Sequence, residues 1–108
     1  MENLSKEESL DALINDSVVM ILQFGAVTCA PCKSIKQRID LWSADHKSVK
    51  SRYIDIEEFP IIAEEHGIYS APAILVFVEG KLTVRKAGYF SLDEVFMQIE
   101  RYLGMLEE

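Results

Sequence analysis

Both cysteines of the chain lie in one short stretch, Phe24-Gly25-Ala26-Val27-Thr28-Cys29-Ala30-Pro31-Cys32-Lys33, with only an alanine and a proline between them. Two thiols at this spacing suit three kinds of chemistry: half of a metal centre, a small structural staple, or a pair that trades electrons. A structural zinc centre takes four ligands, usually a second Cys-x-x-Cys or two closely spaced histidines. The chain adds only His46 and His66, far apart in sequence, so no metal is expected. A bridge between such close neighbours closes too short a loop to restrict the unfolded chain much, and reducing compartments disfavour structural disulfides. Thiol–disulfide exchange is the reading the context favours over these two, and it requires no bound cofactor.

The flanking residues say how such a pair is held. Val18-Val19-Met20-Ile21-Leu22-Gln23-Phe24 is an apolar, β-rich run, as expected for a strand covered on both faces. After the cysteines, Cys32, Ile35, Ile39 and Trp42 recur at helical spacing. Pro31 suits the first turn of that helix, where a missing N–H removes nothing from the hydrogen-bond ladder. The free N–H groups of the turn and the helix dipole then favour a thiolate at Cys29, the form that acts as nucleophile. Cys32, one turn inside, is expected to be more buried and to act as the resolving thiol.

The remaining elements alternate helix and strand. Ser5 and Glu8 form a capping box ahead of a first helical face made by Leu10, Leu13 and Ile14. Residues 49–56 read as a second buried strand. A short helix follows, with Pro60 at its start and Gly67 past its end. Residues 73–78 and 82–87 read as a hairpin around Glu79, Gly80 and Lys81. A last helix starts with a second capping box, Ser91 and Glu94, and carries the stripe Leu92, Val95, Phe96, Ile99 and Leu103. Strands separated by helices predict right-handed parallel crossovers, and the hairpin adds an antiparallel edge. The fold class is therefore α/β, a central mixed sheet flanked by helices on both faces. In such sheets chemistry collects at the carboxyl ends of parallel strands, where the cysteines lie.

With 108 residues, 49% of them hydrophobic, residues 1–108 are expected to form a single domain around one core. A net charge of −7 argues against nucleic acid and anionic membrane surfaces as partners. No run reaches the ~18 apolar residues that a membrane span needs. The polar, acidic amino-terminal segment lacks the pattern of a secretory signal, so a cytoplasmic protein is expected, with a monomer as the default.

At this point the sequence resembles the thioredoxin family over nearly its whole length. The matches are Cys29-Ala30-Pro31-Cys32-Lys33, then Pro72 within Gly67–Lys81 at the family's cis-proline position, then Gly88 as its substrate-groove glycine. The resemblance implies a disulfide-forming Cys29/Cys32 pair, with Pro72 beside it and the backbone of Ala71 offered as a docking edge. It further implies a shallow apolar patch of Val27, Ala30, Pro31, Ala71, Pro72, Gly88 and Tyr89. Its implied partners are protein disulfides and a thioredoxin-reductase-type electron donor.

The sequence also departs from the family. Thr28 and Gly25 stand where tryptophans are usual, and Ala30-Pro31 replaces Gly-Pro. Gln23 replaces a buried aspartate thought to help deprotonate the resolving thiol, and Tyr53 replaces its lysine partner. Gln23 and Tyr53 are expected to form a neutral pair, leaving the resolving step to water or hydroxide and slow at neutral pH. Two rival functions are a redox-sensing or protein-binding module with little turnover, and a glutathione-dependent, glutaredoxin-like enzyme. Lys33 and the helix before the first strand suit the thioredoxin reading better.

Overall fold

A computed structural model describes residues 1–106; residues 107 and 108, the end of the expected domain, lie outside the described residues. The elements run β1 (Glu2–Asn3), α1 (Leu10–Asp16), β2 (Val19–Gly25), α2 (Ala30–Ser43), β3 (Val49–Asp55), α3 (Pro60–Glu65), β4 (Ala73–Val78), β5 (Lys81–Ala87) and α4 (Leu92–Leu106). β2 is buried at every position, which fits its place at the centre of a sheet ordered β1-β3-β2-β4-β5. Because strand side chains alternate, Met20, Leu22 and Phe24 enter one core with Leu10 and Ile14 of α1 and Ala63 of α3. Val19 and Ile21 enter the opposite core with Ile39 of α2 and Val95, Phe96 and Ile99 of α4. The α/β sandwich expected from the sequence is thus present.

One expectation about connectivity needs correction. β2 and β3 are parallel, but β4 runs antiparallel to β2, so β3 and β4 are not joined by a parallel crossover. The reason is length. A parallel return must carry the chain back along the sheet, whereas the six residues of α3 rise only about 9 Å. The chain therefore enters β4 at the end where β3 finished, and Ala73 lies opposite Phe24. That places Pro72 at the same end of the sheet as the cysteines.

The amino-terminal capping box also behaves differently. α1 starts at Leu10, capped by Ser9, whose Oγ accepts the N–H of Ala12 at 3.2 Å. Glu8 does accept the N–H of Ser5, at 3.0 Å, but its carboxylate is drawn to Arg52 on β3, 2.9–3.3 Å away. Residues 5–8 are held against the sheet as a turn. β1 was not foreseen, since two polar residues carry no strand pattern; pairing of Glu2 and Asn3 with Arg52 and Tyr53 creates it.

The hydrogen bonds from Arg52 and from the Ser5 N–H hold the Glu8 carboxyl below the usual carboxylate range. A depressed folded pKa contributes stability above the unfolded value near 4.5 and loses it as pH falls through the folded value. Glu8→Gln is therefore expected to melt earlier than the parent at neutral pH. The gap should close as the pH drops below about 4.5, which thermal unfolding across a pH series measures.

Candidate active site

α2 begins where β2 ends, and the cysteines occupy that junction. Cys29 is the N-cap of α2, in extended backbone geometry, and Pro31 lies within the first helical turn as expected. The N–H of Cys29 donates to the carbonyl of Ala26 at 3.0 Å, closing the turn that leads out of the strand. The two sulfurs are bonded at 2.07 Å, with Cα atoms 5.4 Å apart. Cys29 is half-buried, while Cys32 is only 1% exposed. One sulfur can meet a partner; the other is sealed behind it.

The loop into β4 supplies the second wall. The Ala71–Pro72 peptide bond is cis, and the Pro72 carbonyl accepts the N–H of Gly88 at 3.0 Å. Gly88 has φ +72°, a left-handed conformation that side chains rarely adopt, and the space where its Cβ would stand is open. A groove of about 500 Å³ runs from Pro31 past Ala71, Pro72 and Gly88 to Tyr89. The structure thus brings the expected supporting residues Pro31, Ala71, Pro72 and Gly88 together in one groove, whose wall includes Pro31 of the Cys29–Cys32 segment but neither cysteine. Val27 and Ala30 are exposed nearby but do not line the groove.

Four lining residues escaped the sequence reading: Ile35, Arg38, Phe90 and Leu92. Helical spacing from Pro31 would have found the first two, since positions 31, 35 and 38 share one face of α2. Arg38 is the one charged residue of the groove wall, and it pairs with Asp93 on α4.

The expected neutral pair does not form. Gln23 and Tyr53 are register partners on β2 and β3, yet each turns to α2 separately. Gln23, fully buried, donates from Nε2 to the carbonyl of Cys32 at 2.8 Å. The Tyr53 ring instead covers Gly25, where a Cβ would collide with the phenol oxygen, and Lys36 Nζ sits 4.5 Å from the ring centre. Burial, with a smaller contribution from the Asp55 charge, pushes the Tyr53 phenol pKa up. A neutral phenol and a bare glycine thus fill one volume between β2, β3 and α2. Among the described residues, no group of three or more His, Cys, Asp or Glu side chains is placed to hold a metal.

A half-buried cysteine backed by a sealed one, at the start of a helix, can exchange disulfides in two steps; the class is that of dithiol–disulfide oxidoreductases. The chain belongs to the thioredoxin family, whose family model, Thioredoxin, matches residues 2–101. It is similar to the chloroplastic M-type thioredoxin of Chlamydomonas reinhardtii, 30% identical over 95 residues, covering 87% of this chain and 68% of that protein. It also resembles the thioredoxin of Chlamydia caviae, 28% identical over 102 residues, covering 94% and 99% of the two chains. Among solved structures, thioredoxin NaTrxh from Nicotiana alata superposes with a TM-score of 0.81 at 26% identity, covering 94% of this chain and 90% of that one. The family acts on disulfide substrates and usually draws electrons from thioredoxin reductase.

Proposed function

We propose that this chain reduces protein disulfides by cycling Cys29 and Cys32 between dithiol and disulfide. The Cys29 thiolate attacks one sulfur of a substrate disulfide, forming a mixed disulfide and releasing the other sulfur as a thiolate. Cys32, after losing its proton, attacks the Cys29 sulfur; the substrate leaves reduced and the Cys29–Cys32 bridge remains. A thioredoxin-reductase-type donor, fed by NADPH, then returns two electrons. Pro31, Ala71, Pro72 and Gly88 form the groove against which the substrate backbone lies. The setting is cytoplasmic and the chain acts as a monomer. No helix among the described residues is long and apolar enough to cross a membrane, in keeping with a partner that arrives from solution.

The observation that carries this reading is the asymmetry of the pair, half-buried Cys29 against sealed Cys32 at the start of α2. The deciding assay couples the chain to NADPH, a thioredoxin reductase and a protein with accessible disulfides. Many equivalents of substrate reduced per molecule are the expected result. A single equivalent, reached and then no more, would instead identify a redox-sensing or binding module. Efficient reduction of the bridge by glutathione alone would identify a glutaredoxin-like enzyme.

A further inference from the structure

Among the described residues, Gln23 is the only buried polar or charged one, and its amide is used on one side only. Its orientation is fixed: the carbonyl of Cys32, 2.8 Å away, can only accept, so Nε2 must face it. That leaves Oε1 buried with no hydrogen-bond donor among the described residues. A buried carbonyl without a donor is costly, and native cores rarely keep one without cause. In the structure the pair is a disulfide, which has no S–H to give. Reduction creates one new donor in this sealed region, the thiol of Cys32, the same residue whose carbonyl Gln23 already holds.

We propose that Gln23 is the positioning residue for the resolving thiol: Nε2 clamps the Cys32 carbonyl in both redox states, and Oε1 accepts the Cys32 S–H in the reduced one. This assignment rests on the dithiol–disulfide cycle proposed above and assigns Gln23 a part in it. The added bond exists only after reduction, so it stabilises the dithiol over the disulfide. It also holds the proton on Cys32. In the mixed disulfide that proton must pass to water or hydroxide before Cys32 can form its bond to the Cys29 sulfur and break the bond to the substrate sulfur. The leaving substrate thiolate then takes up a proton from solvent, and the two electrons of the Cys32 sulfur end in the new S–S bond. An amide cannot take that proton itself, so the resolving rate should climb with hydroxide through neutral pH.

The test reads the hydrogen bond without any substrate. In a Cys29→Ser protein the one remaining S–H, that of Cys32, has its stretching band in a clear infrared window. With Gln23 present the band is expected at lower frequency than that of a free thiol. Adding Gln23→Met, which keeps the length and removes both amide groups, should move it back. With both cysteines present, Gln23→Met should shift the equilibrium with a glutathione redox buffer toward the disulfide by roughly three- to tenfold, the net effect of one hydrogen bond. Gln23→Glu restores an acceptor of the same length and should give the resolving rate a pH-independent stretch that the parent lacks. A free-thiol band in the protein that retains Gln23 overturns the assignment even if neither variant folds. A glutathione equilibrium that Gln23→Met leaves unchanged does the same. Failure of the turnover assay would strike the cycle and leave the band where it is.

Discussion

A Cys29→Ser protein is expected to lose disulfide reduction down to the uncatalysed level, while Cys32→Ser completes the first attack and stops there. The two sulfurs are three residues apart but differ in access and in electrostatic setting. Cys29 caps α2, where unsatisfied N–H groups stabilise a thiolate. Cys32 is sealed and cannot reach a substrate first. Serine at position 29 removes the nucleophile; serine at position 32 leaves the mixed disulfide with no sulfur to resolve it. Mass spectrometry should therefore find about one substrate equivalent bound per Cys32→Ser molecule and none on Cys29→Ser. The trapped adducts from a reducing extract would also identify physiological substrates. Adducts forming equally on either variant would contradict the division of labour between the thiols.

The second large effect is on stability. Phe24→Ala is expected to cost about 3–5 kcal/mol, a large share of the roughly 5–15 kcal/mol that holds a domain of this size together. Phe24 is fully buried on the central strand, packs in the core beneath α1 and α3, and has its ring centre 6.2 Å from that of His66. It also lies opposite Ala73, the residue after Pro72, so a cavity there loosens both walls of the site. Urea unfolding measures the loss, with the half-exposed Val18→Ala as a control expected to change stability by about 0.5 kcal/mol or less. A Phe24→Ala protein within 1 kcal/mol of the parent would mean that this core collapses freely around a missing ring.

Gln23 makes the chemistry of this chain its own. A carboxylate at this depth would carry a large desolvation cost without a cation beside it, and the matching position on β3 is Tyr53. The neutral amide avoids that cost and gains a bond to the Cys32 carbonyl, one that an ionised carboxylate has no hydrogen to make. Substituting aspartate would thus do more than add a base: it would also remove the clamp.

What the sequence determined by itself was local. Spacing and hydrophobic period marked Cys29 and Cys32, the strand before them, the helix after them and the α/β class, because these depend on neighbours within a few residues. The family resemblance then added Pro72, Ala71 and Gly88. Tertiary structure decided the rest. The direction of β4 follows from how far α3 can reach, and β1 exists only through its pairing with β3. Whether Glu8 caps a helix or binds Arg52, and whether Gln23 meets Tyr53 or Cys32, turns on which partner lies closer in space. A one-dimensional pattern records what each residue can bond with; only packing chooses among partners distant along the chain.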